Sequence, residues 1–117
     1  MQVDTAHPYS LVRRTRRGAY LSGVLPYRTD GSLARERDSA IDAALDTLRR
    51  RLADAGYTLA DVAKTTVFLT DMGWLPALND AWARAFAEPR PARTAVEVRA
   101  LPRGAPIEID AVVEPVD

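Results

Sequence analysis

The apolar positions of this chain change their period several times, and each change marks an element. Ile41, Ala44, Leu45, Leu48 and Leu52 recur three or four residues apart, with Arg and Asp between them. That spacing lays one apolar stripe along a helix, predicted over Leu33 to Ala55 and stopped by Gly56. A second stripe, Leu75, Leu78, Trp82, Ala85 and Phe86, predicts another helix, with Asp71 as its cap and Pro89 and Pro91 ending it. Five β-rich segments read as strands: Tyr9 to Arg14, Ala19 to Leu25, Val62 to Thr70, Arg93 to Val98 and Ile107 to Val113. Arg16-Arg17-Gly18 suits a hairpin turn, and Thr29-Asp30-Gly31 a turn leading into the first helix. Thr58 to Asp61 has the spacing of a short capped turn, and Leu101-Pro102-Arg103-Gly104 separates the last two strands. The predicted order is β-β-α-β-α-β-β, an α+β domain with one mixed sheet and two helices on one face. With no repeat, linker or low-complexity stretch, residues 1–117 read as one unit.

Two helices cover only one face of a sheet, so the other must meet solvent or a partner. Alternation puts Thr94, Val96 and Val98 on one side and Arg93, Ala95 and Glu97 on the other. It separates Ile107, Ile109, Ala111 and Val113 from Glu108, Asp110 and Val112, and Ser22 from Leu21 and Gly23. The expectation is an apolar face for the helices and a mixed face carrying charges. That mixed face is either solvated or buried by self-association, its charges then lining a site between subunits.

Composition narrows the chemistry. A chain of 117 residues is long enough for one domain that removes roughly two-thirds of its surface from water. It has no cysteine and one histidine, His7. Disulfides, thiolate nucleophiles and the usual zinc sites are excluded, and a protein-built transition-metal centre is disfavoured. Sixteen basic side chains balance sixteen acidic ones. A neutral chain lacks the overall attraction that drives non-specific binding to nucleic acid or anionic membranes. The basic runs Arg13 to Arg17 and Arg49 to Arg51 read as solvated faces. All basic residues but Lys64 are arginine and alanine is common, the codon bias of a GC-rich bacterial genome. No apolar run nears the roughly 20 residues of a membrane helix, and no signal-peptide core is seen, so a soluble cytoplasmic protein is expected. Chemistry here must use carboxylates, arginines, hydroxyls, backbone amides and water.

The segment Arg90-Pro91-Ala92-Arg93-Thr94-Ala95-Val96-Glu97-Val98, followed by Leu101-Pro102-Arg103-Gly104-Ala105-Pro106-Ile107-Glu108-Ile109-Asp110-Ala111, resembles the signature of the RidA/YjgF family of reactive enamine/imine deaminases. Pro8-Tyr9-Ser10, Ser22-Gly23, Asp61 to Met72 and Asn79 match in the same order, so the resemblance runs along essentially the whole chain. It implies a chorismate-mutase-like fold, a homotrimer with sites between subunits, and no cofactor. The implied reaction is hydrolysis of 2-aminoacrylate-type enamines and 2-imino acids to 2-keto acids and ammonia. The implied catalytic residues are Arg93, binding the substrate carboxylate, and Glu108, positioning or activating water. Tyr9, Ser22, Gly23, Asn79 and the backbone amide of Ala95 match residues that line the cleft. Val24 stands where the family usually has Gln, Ala95 where many members have Cys, and His7 where Gly is common, after a short leading segment. These departures bear on substrate scope.

Other readings of the same residues stand beside this one. Arg93 could be a structural partner of Glu97 or Glu108, His7 a solvated residue, and Trp74 and Trp82 core or interface packing. The chain could act on a larger imine in a biosynthetic pathway, hold a carboxylate metabolite without turnover, or bind or cleave RNA. A small imine or enamine carboxylate is the expected partner, and nucleic acid or membrane is not.

Overall fold

The computed structural model describes residues 7–115. Its elements are β1 (Val12–Arg14), β2 (Ala19–Val24), α1 (Arg37–Asp54), β3 (Val62–Leu69), α2 (Leu75–Ala85), β4 (Ala92–Glu97) and β5 (Ile107–Val113). The strands form one sheet in the order β1-β2-β5-β3-β4. Only β3 and β4 are parallel; every other neighbouring pair is antiparallel. Parallel neighbours need a long crossover, and α2 supplies it. The leading segment before His7, noted as short, lies outside the described residues. No helix among the described residues is long and apolar enough to cross a membrane.

The core lies between the sheet and the two helices. From α1 it takes Ile41, Leu48 and Leu52, from α2 Leu78 and Trp82, and from the sheet Leu21, Val24, Val67, Leu69, Ile107, Ile109 and Val113. In β5 the expected alternation holds throughout, with Ile107, Ile109, Ala111 and Val113 buried and Glu108, Asp110 and Val112 half-buried on the open face. Gly56 ends α1 as expected: its φ of 90° lies in the left-handed region that glycine enters without penalty. The capped turn at Thr58 is also present, with Thr58 and Asp61 satisfying each other's backbone groups.

Three boundaries differ from the sequence reading by more than one residue. The first helix starts at Arg37 because Leu33 bridges to Tyr27 and the Ala34 N–H donates to the Pro26 carbonyl, holding both residues in a loop. Asp71 caps a short 3-10 turn, Met72–Trp74, by accepting from the Gly73 N–H at 2.8 Å, and α2 follows at Leu75. Tyr9 and Ser10 precede β1 rather than belong to it.

In β4 the expected sides are reversed. Its register pairs Arg93 with Thr65, Ala95 with Val67 and Glu97 with Leu69. Paired residues share a face, and Thr65, Val67 and Leu69 are fully buried beneath the helices. Arg93, Ala95 and Glu97 therefore lie on the helix side, while Thr94 and Val96 share the open face with Thr66 and Phe68. The reversal is physically affordable because β4 is an edge strand, whose helix-side row borders water.

Leu48 has no exposed surface and packs in the middle of α1. Leu48→Ala is expected to cost about 2–5 kcal/mol of folding stability by opening a cavity, measurable by denaturant unfolding.

Candidate active site

On the open face, a β-bulge organises one group of candidate residues. Leu21 pairs with Ala111 and Val24 with Ile109, so Ser22 and Gly23 together face the single residue Asp110. Bulges re-aim side chains, and this one makes room for a neighbour. The Glu108 carboxylate lies against the Gly23 backbone so closely that a Cβ at position 23 would overlap its Oε2. Ser22 donates from its hydroxyl to the Ser10 carbonyl at 2.7 Å, and from its N–H to the Leu11 carbonyl at 3.0 Å. These bonds tie the Tyr9–Ser10 segment to the bulge and leave the Ser22 oxygen only lone pairs to offer a ligand. Tyr9 is exposed, with its ring 5.0 Å from that of His7, so His7 is not simply solvated.

Burial raises the Glu108 pKa above the usual carboxylate range, and the negative charge of Asp110 raises it further. Asp110 shares the open face two residues along and accepts from the Thr66 N–H at 3.1 Å. Together they form a carboxylate pair in which one member resists ionisation.

The second group lies at the β4 edge, on the helix side. The Arg93 guanidinium donates from Nη2 to Asn79 Oδ1 at 2.7 Å, and its Cζ sits 5.2 Å from the centre of the Trp82 ring. Asn79 and Trp82 are three residues apart on α2, so both face the same strand. Arg93 is half-buried, and burial lowers its pKa, although a guanidinium remains charged. Among the described residues it has no carboxylate partner. Glu97 is engaged elsewhere, its Oε1 accepting from the Met72 N–H at 2.8 Å. The structural pairing of Arg93 with Glu97 or Glu108 is thereby excluded within one chain.

Ala95 belongs to this second group. The Val98 N–H donates to the Leu69 carbonyl, so by alternation the N–H of Ala95 points away from β3, out of the edge of the sheet. Val24, by contrast, is 2% exposed and packs in the core beside Ile109. Its departure from the family's usual Gln does not reshape the open-face group.

One chain does not bring the two groups together. Arg93 pairs with Thr65 and Glu108 with Phe68. Residues 65 and 68 of one strand point to opposite faces, so the guanidinium and the carboxylate do as well. Among the described residues no three His, Cys, Asp or Glu side chains gather as metal ligands. A wide concavity of about 500 Å³ near the start of α1 contains none of the candidate residues. Sequence reasoning did not single out Asp110 and left Trp82 as packing. Their spacings, two residues beyond Glu108 and three beyond Asn79, were the available signals.

Two outcomes follow from this geometry. Gly23→Ala is expected to lower the melting temperature measurably, because the added Cβ meets Cγ and Cδ of Glu108 as well as Oε2 and the whole side chain must change rotamer to leave the bulge; thermal melts would check this. Glu108 is held protonated longer in the folded chain than in the unfolded one, so the stability this provides is full at low pH and is lost as pH rises through its raised pKa. Glu108→Gln should therefore match the parent's melting temperature below about pH 4 and exceed it increasingly above the ordinary carboxylate pKa of about 4.3.

Comparison with known proteins agrees with the fold and extends it. The family model described as Endoribonuclease L-PSP matches residues 1–115. The chain is 35% identical over 107 residues to 3-aminoacrylate deaminase RutC of Acinetobacter baylyi, covering 90% of this chain and 85% of that protein. It is 30% identical over 108 residues to 2-iminobutanoate/2-iminopropanoate deaminase of Dermatophagoides farinae, covering 91% and 84%. Among solved structures, RidA from an Antarctic Psychrobacter superposes with a TM-score of 0.88 at 29% identity, covering 95% of this chain and 91% of that one. With its sheet order, its two helices and this match along nearly its full length, the chain belongs to the RidA/YjgF family, the family described as Endoribonuclease L-PSP.

Proposed function

We propose that this protein is a cofactor-independent enamine/imine deaminase, hydrolysing 2-aminoacrylate-type enamines and 2-imino acids to 2-keto acids and ammonia. The observation that carries this reading is Arg93: a half-buried guanidinium with no carboxylate partner among the described residues. Such a charge has given up water without a compensating anion, so an incoming carboxylate is its natural counter-ion. The names of relatives at 30–35% identity, one a 3-aminoacrylate deaminase and one a 2-iminobutanoate/2-iminopropanoate deaminase, support the enamine/imine deaminase class, and the second supports 2-imino acids as substrates.

In this reading the working site lies between subunits of a homotrimer. One chain contributes Arg93, Asn79 and the outward N–H of Ala95. A neighbour lays its open face against that edge and contributes Tyr9, Ser22, Gly23 and Glu108. The opposed faces of the two groups support this arrangement, because only a second copy can set a Glu108 across from Arg93.

The chemistry needs little beyond placement. The enamine takes a proton at its terminal carbon and becomes an imine. Water adds to the imine carbon while its proton passes to a base; the carbinolamine nitrogen then accepts a proton and leaves as ammonia while the hydroxyl gives up its proton and its oxygen forms the C=O double bond. The carbonyl of the keto acid remains. Arg93 grips the carboxylate with two parallel N–H donors, fixing the imine carbon. Glu108 orients the water, accepts its proton and returns one to the leaving nitrogen. Its raised pKa moves Glu108 in the direction that suits both halves of that exchange, away from a fully ionised surface carboxylate and toward a group that can also donate. The balanced overall charge favours a small anion over the polyanionic track of an RNA.

Arg93→Ala should lower kcat/KM by roughly thirtyfold or more, the usual consequence of removing one partner of a buried charge pair. The assay generates the imine with an amino-acid dehydratase and follows keto-acid and ammonia release. Arg93→Lys should recover little, because an ammonium cannot reproduce the bidentate fork. Light scattering should give three chains per particle. Unchanged turnover in a folded Arg93→Ala protein, or a monomer in solution, would overturn the proposal.

A further inference from the structure

We propose that Trp82 is a positioning residue for substrate binding: its ring face, together with Asn79, holds the Arg93 fork in plane without neutralising it. This rests on the reading of Arg93 as the carboxylate-binding group. Trp82 is 5% exposed, and its ring lies 5.2 Å from Arg93 Cζ, inside the range at which an aromatic face attracts a cation. Phe86 backs the indole, with ring centres 4.7 Å apart and planes tilted by 37°. Asn79, Trp82 and Phe86 follow one another at helical spacing, so one stripe of the α2 segment builds the whole support.

The chemistry of the support explains its composition. A half-buried guanidinium must recover part of its lost hydration. An Asp or Glu beside it would do so most strongly, but would cancel the charge and compete with the ligand's carboxylate. The Asn79 carbonyl oxygen and the indole face are both neutral. Asn79 takes one hydrogen of Nη2 at 2.7 Å and fixes the rotation of the fork. The ring stabilises the cation through its π face and takes none of the in-plane N–H groups, so Nε, Nη1 and the second Nη2 hydrogen remain for an anion.

The indole N–H supplies an independent argument. Trp82 Nε1 is buried and has no hydrogen-bond partner among the described residues. A buried unsatisfied donor is a cost that an aliphatic or phenyl side chain at this position would not carry. Trp82 is therefore not held here by its polar atom; what distinguishes it from Leu is the aromatic face beneath Arg93, and from Phe the greater extent and electron density of that face.

The test weakens that face without changing its shape. In a Trp74→Phe background Trp82 is the sole tryptophan, and it can be replaced biosynthetically by 5-fluorotryptophan and then tetrafluorotryptophan, which drain electron density from the ring. Pyruvate serves as the probe carboxylate in binding titrations, and the dehydratase-coupled assay separates KM from kcat. The expected result is a stepwise rise in the pyruvate Kd and in KM, reaching roughly two- to thirtyfold for the tetrafluoro ring, the range of exposed to desolvated cation–π contacts. The expected kcat and melting temperature hardly move. Trp82→Phe, which keeps a weaker face and discards the unsatisfied N–H, should fall between the parent and Trp82→Leu in Kd. A flat Kd and KM across the fluorinated series, while Arg93→Ala still abolishes pyruvate binding, would overturn the role of Trp82 and leave the deaminase reading standing. Pyruvate binding and turnover that survive Arg93→Ala would overturn both.

Discussion

A guanidinium that has lost part of its water, and has no carboxylate partner among the described residues, must be held by neutral groups. Much of the local architecture answers that requirement. The β4 register turns Arg93 toward α2, and α2 meets it with an amide oxygen and an aromatic face in place of a carboxylate. Glu97, four residues along on the same side of the strand, is occupied by a backbone N–H at the start of the 3-10 turn before α2. The charge is thus kept apart from carboxylates by how its surroundings are committed, which under the proposed deaminase reading reserves binding energy for a ligand.

The carboxylate group is built by the opposite strategy. Glu108 lies in the space that a missing Cβ leaves at Gly23, on a bulge whose other residue fastens the Tyr9 segment. Burial and the neighbouring Asp110 both disfavour its ionisation. A group that is reluctant to ionise can take a proton and give it back, whereas a free surface glutamate at neutral pH is a poor donor. One group therefore preserves a positive charge and the other suppresses a negative one. They complement each other chemically and yet point to opposite sides of the sheet.

Much of this was legible in the sequence, and the gaps have physical causes. Ile107 to Val113 could be bounded to the residue, because a strand in the interior of a half-covered sheet must alternate strictly. The start of α1 could not, because Leu33 continues the apolar pattern but spends itself on a bridge to Tyr27. The sides of β4 were misjudged for a related reason: apolar alternation identifies the buried face only where the strand is covered, and an edge strand can put arginine and glutamate on the helix side. Arg93, Glu108, Ser22 and Gly23 stood out through the family resemblance. Their division between two faces did not, since it depends on the separate registers of β4 and β5 against β3. Nor could spacing alone say that Trp82 does more than pack, because an aromatic at helical spacing has the same pattern whether or not a cation lies over it.

Under the proposed reading, the opposed faces also bear on why a cleft shared by two copies would suit the chemistry. Had one chain carried the guanidinium and the carboxylate side by side, they would have paired, each restoring the other's ordinary charge state. The arginine would lose its vacancy for an anion, and the glutamate would be driven toward permanent ionisation. Placing them on opposite sides of one sheet lets each be prepared separately, Arg93 by Asn79 and Trp82, Glu108 by Gly23 and Asp110. Assembly would then bring them to a distance set by the subunit contact, with the substrate between them. On this argument the sheet acts as an insulator, and in the proposed assembly the polar edge of β4 is the part of it that a neighbour would meet.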